Sequence, residues 1–129
     1  MQLTIRDEST DGRALGESVV EFLTETTTVE ELIRSRVYQE VQDYNLNKTG
    51  KFRGLVEPST DRGAEKGRTI DWKAQFETAC EAFRKNRVLI LVDDRQVERL
   101  DQTIDLRPAT AARPATSVSF LKLTPLVGG

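Results

Sequence analysis

The sequence predicts a mixed α+β domain, and three observations support this fold class. Residues 2–6 and 118–123 alternate between apolar and polar side chains, as half-buried strands do. A helical repeat of apolar residues begins at Val29, between these two strands. The continuous apolar run Val88–Val92 predicts a central strand buried on both faces. If the first and last strands pair in parallel, the helical region between them supplies the crossover.

The length and composition predict one domain, spanning residues 1–129, and limit its function. The net charge of −2, with both signs interspersed, gives no electrostatic basis for binding nucleic acid. No membrane segment or signal peptide is expected, and one cysteine fits a reducing, cytoplasmic setting. The sequence contains no histidine, which argues against a Ser-His-Asp triad and most zinc sites. We therefore expect no metal site and no bound cofactor.

The first half predicts an antiparallel hairpin followed by a helix. Strands are expected at residues 2–6 and 17–24, on either side of an Asp-Gly turn at Gly12. Thr28 and Glu31 have the spacing of a capping box, which predicts the start of the helix. Arg36 is expected to fall off the buried side of this helix. The apolar residues that predict the buried side are Val29, Leu32, Ile33, Val37, Val41 and Tyr44.

The middle of the chain predicts an insertion at about residues 45–86. Residues 47–69 are rich in glycine and charge, which predicts a mobile loop, except where residues 52–56 dock. A second helix is expected at 71–86, with Asp71 as its cap. Its apolar face comprises Trp72, Phe76, Ala79, Cys80 and Phe83.

The last third predicts a turn, a flexible loop, a strand and a tail. Asp93 and Asp94 are expected to form the turn, and residues 96–98 a short return strand. Residues 101–106 read as a connector without secondary structure. The tetrapeptide Arg-Pro-Ala-Thr occurs twice within 107–117, which predicts a flexible loop. Pro125 lacks a backbone N–H, so strand pairing should stop there and a tail, residues 124–129, should leave extended.

Four segments resemble the β-grasp superfamily of ubiquitin and the sulfur carriers ThiS and MoaD. The opening Met-Gln-Leu-Thr-Ile is similar to the first strand of ubiquitin, and Thr-Val-Glu-Glu-Leu-Ile from Thr28 resembles the helix start of the carriers. Val-Asp-Asp-Arg-Gln-Val from Val92 resembles their Val-Asn-Gly-Glu-x-Val turn. The final Phe-Leu-Lys-Leu-Thr-Pro-Leu-Val-Gly-Gly resembles the MoaD-like tail. The resemblance covers the first and last thirds, and the insertion and the Pro-Ala-Thr loop depart from it.

The resemblance implies a ubiquitin-like protein modifier that is acted upon and is not itself an enzyme. An activating enzyme would use ATP to adenylate the carboxylate of Gly129, a thioester would form, and protein amines would be modified. Gly128 would allow close passage, because it has no Cβ. The residues that the partner would hold extended are Thr124, Pro125, Leu126 and Val127.

The implied partners are an activating enzyme, a conjugating enzyme, a JAB-type deconjugating protease and target proteins, in a bacterial ubiquitination-like pathway. The protein itself is expected to be a monomer. Two alternatives stay open: a ThiS- or MoaD-like sulfur carrier with a terminal thiocarboxylate, and a β-grasp binding module that is not conjugated. A diglycine can also occur by chance at a flexible end.

Other residues with chemical potential have simpler structural explanations. Cys80 is expected to be a small core residue, and Trp72 an anchor of the second helix. Asp93 and Asp94, with Glu98 or Asp101, could form a carboxylate cluster but are expected to be solvated turn charges. Six lysines could accept a second copy of the tail: Lys48, Lys51, Lys66, Lys73, Lys85 and Lys122.

Overall fold

The structure is a computed structural model that describes residues 2–47, 54–56 and 69–123. Within these ranges the chain forms two helices and seven strands. In chain order they are β1 (Gln2–Ser9), β2 (Ala14–Glu21), β3 (Thr26–Thr28), α1 (Val29–Asn47), α2 (Trp72–Arg84), β4 (Val88–Val92), β5 (Arg95–Val97), β6 (Thr103–Asp105) and β7 (Val118–Lys122).

Five strands form one mixed sheet in the order β2-β1-β7-β4-β5, so the protein belongs to the predicted α+β class. β1 and β7 pair in parallel, with Ile5 beside Val118 and Asp7 beside Phe120. β1 is antiparallel to β2, and β4 is antiparallel to both β7 and β5. The last described strand therefore lies at the centre of the sheet, between the first strand and β4.

A second, two-stranded sheet was not expected from the sequence. β3 and β6 pair in antiparallel fashion, with Thr27 opposite Ile104. The prediction that residues 101–106 form a connector without secondary structure is therefore wrong, because this region contains β6. The pairing joins β3, which directly precedes α1, to β6, which follows β5. Within β6, Ile104 is buried in the core.

The first three backbone N–H groups of α1 each donate a hydrogen bond to an acceptor outside the helix. The hydroxyl of Thr28 accepts a hydrogen bond from the Glu31 N–H at 3.2 Å, as the predicted cap requires. The N–H groups of Val29 and Glu30 donate to the carbonyls of Gln102 and Leu100, at 3.0 and 2.9 Å. These bonds satisfy backbone groups that a helix start leaves without partners.

The core lies between one face of the main sheet and the two helices. α1 contributes buried residues with helical spacing, as predicted, and α2 adds Ala79, Cys80 and Phe83. Asp71 caps α2, because its carboxylate accepts a hydrogen bond from the Lys73 N–H at 3.1 Å. The sheet residues with less than 2% exposure are Ile5, Ile90, Val118 and Phe120. Neither helix described here is long and apolar enough to cross a membrane.

Three sequence predictions are corrected by the strand positions. β1 continues to Ser9, and β2 begins at Ala14, three residues earlier than predicted. β4 is central, but it is not buried on both faces: Val88 and Ile90 are buried, whereas Leu89 and Leu91 are half-exposed. Both helices pack on the same side of the sheet, so the alternate residues of β4 face away from the core.

Candidate functional site

The predicted acyl-carrying residues, Gly128 and Gly129, and the predicted partner-binding tail, Thr124 to Val127, lie outside the described residues. The structure describes the root from which this segment continues, at the end of β7. The Leu123 N–H donates to the Arg87 carbonyl at 3.0 Å, which extends the β4–β7 ladder by one residue. The described part of the candidate site therefore ends at Leu123, the base of the tail.

A short docked segment, residues 54–56, is held beside this root by side chains from three elements. On β7, Lys122 Nζ donates to the Gly54 carbonyl at 3.0 Å. On α1, Glu40 Oε2 accepts a hydrogen bond from the Leu55 N–H at 2.8 Å. On α2, the amide of Gln75 donates to the Val56 carbonyl at 2.7 Å. These three contacts, with the burial of the Leu55 side chain, form what we call the 54–56 clamp.

Arg36 lies beneath the clamp and connects it to the sheet. Its guanidinium donates to both carboxylate oxygens of Asp7 on β1 and to Glu40 at 2.5 Å. The side chain is only 4% exposed and lies 4.7 Å from the centre of the Phe120 ring. Burial works to lower the pKa of Arg36, but the hydrogen bonds and charges of Asp7 and Glu40 outweigh it and the pKa is raised.

This arrangement corrects the expectation that Arg36 lies off the buried side of the helix. Arg36 is seven residues after Val29, two helical turns along the same side, so it faces the sheet. The sequence signal that could have found it is that spacing, together with Glu40 four residues later. The side chain can be buried because Asp7 and Glu40 match its donors.

An open groove of about 710 Å³ lies next to the root of the tail. It is bordered by the clamp, by the exposed side of α2 and by the start of β4. Its lining is mixed, with Leu55, Val56, Val88 and Leu123 beside Glu77, Glu81, Lys85 and Arg87. The groove borders the root of the tail, because Leu123 is part of its wall.

The acidic residues near the β4–β5 turn do not form one cluster in the structure. Asp93 accepts hydrogen bonds from the Ser117 N–H and from Arg107, each at 3.0 Å. These bonds, the backbone one foremost, hold the pKa of Asp93 below its usual value. Asp101 pairs with Arg99 at 3.2 Å. Among the described residues, no group of three or more acidic, cysteine or histidine side chains is arranged to hold a metal ion.

The loop 107–117, predicted to be flexible, carries its own hydrogen bonds. At its base, the Thr116 N–H donates to the Arg107 carbonyl at 2.9 Å, and the Arg107 N–H donates to the Thr116 hydroxyl at 2.6 Å. At its tip, the Thr110 N–H donates to the Arg113 carbonyl at 2.9 Å. The two copies of the tetrapeptide thus have different roles, one threonine at the tip and one buried at the base.

Cys80 and Trp72 take the structural positions expected of them. Cys80 is 5% exposed within the core, and burial raises the pKa of its thiol. Trp72 packs partly against the core, with its ring edge-on to Tyr38 at 5.2 Å. Arg34 lies over the same ring, 5.6 Å from its centre. Neither residue brings a reactive group to the root of the tail.

Searches against protein-family models, curated proteins and solved structures found no match for this chain. Its function must therefore be inferred from the sheet order, the position of β7 and the residues that follow β7 in sequence.

Proposed function

We propose that this protein is a ubiquitin-like modifier with a β-grasp fold, joined to protein amines through the carboxylate of Gly129. The observation that carries the proposal is the parallel pairing of β1 with β7 at the centre of the main sheet. This pairing places Leu123, the last described residue before the tail, at the end of a central strand and not of an edge strand. The proposal requires Gly129 to be the carboxyl-terminal residue of the conjugated form.

The sheet order supports the β-grasp assignment. A hairpin, a helix packed on one sheet face, and a last strand inserted beside the first is the arrangement expected of that fold. Here β2-β1-β7-β4-β5 follows this order, with α1 in the crossover between β2 and β4. The second helix, α2, lies in the same crossover as the predicted insertion. It packs beside α1 and leaves the sheet order intact.

The chemistry would belong to the partner enzymes. An oxygen of the Gly129 carboxylate would attack the α-phosphorus of ATP, releasing pyrophosphate and forming an acyl adenylate. A thiolate of the activating enzyme would then displace AMP and form a thioester. A lysine amine of the target would attack the thioester carbonyl, forming an isopeptide bond and releasing the thiol. The modifier contributes recognition and orientation, which raise the effective concentration of the tail at the enzyme.

Tryptic mapping of conjugates in the native host tests the proposal directly. Trypsin cleaves after Lys122, so each modified target lysine would retain the remnant 123–129 as a branch. This chain would be expressed with an N-terminal tag, and the proteins joined to it would be purified through the tag under denaturing conditions. Their tryptic peptides would then be searched for this branch. A covalent ladder with the branch on target lysines is the expected result.

The matched control is a variant that ends at Val127, because it keeps all described residues and loses only the two glycines. This variant should give no branched peptides. Intact mass separates the alternatives: replacement of one oxygen by sulfur would identify a sulfur carrier and contradict conjugation. An unchanged mass with no adducts would also contradict the proposal, and the binding module would then be the remaining hypothesis.

A further inference from the structure

An open pocket of about 980 Å³ lies at the end of β7 opposite to the root of the tail. It is bordered by the start of β1, by the β4–β5 turn and by the loop 107–117. Ser117, which directly precedes β7, lines this pocket, whereas Leu123 directly follows β7. The length of β7 therefore separates the pocket from the root of the tail. Its volume is at the upper end of the range for small-molecule sites.

The repeated Arg-Pro-Ala-Thr tetrapeptide supplies much of the wall of this pocket. The Pro-Ala pair of each copy, residues 108–109 and 114–115, lines it from the two arms of the loop. Hydrogen bonds at the base of the loop hold these arms together. Leu3 and Leu106, both buried, add apolar surface. Because proline has a fixed φ and alanine has no side-chain rotamers, such a wall loses little entropy when a ligand packs against it.

Two arginines and two aspartates line the pocket, and they differ in how well they are paired. Arg107 and Asp93 pair with each other at 3.0 Å. Arg6 is 61% exposed, and its nearest carboxylate, that of Glu17, is 3.9 Å away and also exposed. A surface pair of this kind is weak. The Asp94 carboxylate has no hydrogen-bond or ion-pair partner among the described residues. One positive and one negative charge are therefore available to a ligand.

The sheet order sets the separation of these two charges. Arg6 lies on β1, beside Ser119 of β7, and Asp94 follows β4 on the other side of β7. Two spacings between neighbouring strands place β1 and β4 roughly 10 Å apart. A peptide of about three extended residues spans this distance. The positions of Arg6 and Asp94 thus match the two charged ends of a short peptide.

Arg107 supplies hydrogen-bond donors between these two positions. Asp93 holds its guanidinium and also accepts a hydrogen bond from the N–H of Ser117, just before β7. A guanidinium has several N–H donors in a planar fork, so one bond to Asp93 leaves donors for another acceptor. The Nε–H of Arg107 is shielded from solvent and has no acceptor among the described residues. This side chain is therefore not saturated by its bond to Asp93.

We propose that this pocket binds a short peptide with free ends, about three residues long. Arg6 pairs with its carboxylate, Asp94 pairs with its protonated amine, and Arg107 donates to a carbonyl between them. The Pro-Ala walls contact an apolar central side chain. A phosphate dianion fits less well, because Asp94 is negative and only one arginine lacks a close carboxylate partner. The site is separate from the root of the tail and does not depend on conjugation.

Titration of the full chain with small peptides, followed by amide NMR, tests this site. The probe is the tripeptide Ala-Leu-Ala with free ends, compared with its C-terminal amide and its N-acetyl form. The free peptide should shift the amide signals of Thr4, Arg107 and Ala115, with a Kd below about 1 mM. Each blocked form should bind about fivefold more weakly, because one of its ends loses an ionic partner at the protein surface.

The variants Arg6→Gln and Asp94→Asn show which end of the peptide each residue holds. Arg6→Gln should weaken the free peptide about fivefold and leave the affinity for the amide unchanged, because the amide has no carboxylate to lose. Asp94→Asn should weaken the free peptide similarly and leave the affinity for the N-acetyl form unchanged. The controls are Arg99→Gln and Asp101→Asn, which remove the same charges from an exposed pair outside the pocket. Neither control should change any affinity by more than about twofold.

Three results would overturn the proposal. The first is the absence of a saturable shift up to about 5 mM of the free peptide. The second is equal affinity for the three peptides, which would mean that neither charged end is recognised. The third is an equal effect of each pocket variant and its control, which would indicate a general effect of net charge. Shifts confined to the groove beside Leu123 would place the peptide elsewhere and would equally contradict this site.

Discussion

The side chain of Asp93 accepts a hydrogen bond from the backbone N–H of Ser117, the residue that leads into β7. The bond is reciprocated, because the Asp93 N–H donates to the Ser117 carbonyl at 2.8 Å. Arg107 adds a second contact to the same carboxylate at 3.0 Å. Asp93 has φ of +50°, a conformation that aspartate and asparagine tolerate better than most residues. One turn residue thus fixes the start of the central strand and the base of the loop 107–117.

Replacing Asp93 with Asn should weaken the fold in a pH-dependent manner. Asparagine keeps an acceptor for Ser117 and tolerates the positive φ, but it loses the charge that pairs with Arg107. The pKa of Asp93 is lowered from 3.8 in the folded state, so its stabilisation is present above 3.8 and disappears as pH falls through the lower folded value. Since the carboxylate is 38% exposed, the loss near neutral pH should be under about 1 kcal/mol.

Urea unfolding of wild type and Asp93→Asn at neutral pH and at about pH 2 measures this difference. The control is Asp94→Asn, at the neighbouring turn position with φ of +66°. The control should follow wild type at both pH values. An Asp93→Asn defect of equal size at both pH values would contradict an electrostatic origin.

Arg36→Met should destabilise the protein by about 3–5 kcal/mol, because it leaves Asp7 and Glu40 as poorly exposed carboxylates without their cation. Methionine has similar length, so lost packing contributes little. The control is Arg34→Met, because Arg34 is 51% exposed and makes only a surface ion pair with Glu31 and a contact over the Trp72 ring, which should each contribute about 1 kcal/mol or less. Chemical unfolding of both variants gives the comparison. Equal losses for the two would show that the buried ion group contributes nothing beyond an exposed pair.

Much of the main sheet and both helices could be predicted from the sequence because they carry strong local periodicity. The alternation in β1 predicts its buried residues, Leu3 and Ile5, and the spacing in α1 predicts its buried side apart from Arg36. The alternation in β7 predicts the strand, although Ser119 is buried as well as Val118 and Phe120. β3 and β6 carry no such signal: three consecutive threonines and the polar connector around Ile104 form strands only because they meet each other. Whether such short segments form strands is decided by their tertiary contacts and not by their local sequence preference.

Part of the candidate site could be predicted from the sequence, and part is visible only in the structure. The 54–56 clamp depends on residues far apart in the chain, and Lys122 and Gly54 are separated by 68 positions. No local pattern could indicate that a β7 lysine would reach this backbone carbonyl. The diglycine, by contrast, was found from sequence alone and lies outside the described residues. The proposed chemistry therefore depends on the sequence of the tail. The structure contributes the position of the strand, β7, that precedes the tail.

Gln75→Leu should release the docked segment 54–56 from α2. Gln75 is 3% exposed, and its amide is the donor to the Val56 carbonyl, so leucine would leave that acceptor without this partner. The expected loss of unfolding free energy is about 1–3 kcal/mol. Gln39→Leu is the control, because Gln39 bonds to Asp43 on the exposed side of α1. Hydrogen exchange at Leu55 should rise only in the first variant, and unchanged exchange there would contradict the clamp.

Cys80 should react slowly with a disulfide reagent such as Ellman's reagent while the protein is folded. The thiol is 5% exposed, and its pKa is raised chiefly by burial, so both access and the thiolate fraction are reduced. Unfolding in denaturant should restore the rate of a free thiol, and a ratio of at least about a hundredfold is expected from an opening equilibrium of several kcal/mol. Rapid native labelling would show that α2 opens readily or that the thiol is accessible.

Gly128→Val should block conjugation while leaving the fold unchanged. A branched side chain at this position would collide with a slot that admits only glycine, and specificity sites commonly discriminate single added carbons by roughly 10- to 200-fold. The yield of branched peptides carrying the tail remnant should fall by at least about tenfold. The control is Thr124→Val, which changes a side chain but keeps the backbone that the partner is proposed to hold. Equal yields from Gly128→Val and wild type would mean that no narrow slot receives the tail. If both variants lost conjugation with unchanged stability, the partner would also recognise the Thr124 side chain, and a narrow slot for glycine would not by itself explain the selectivity.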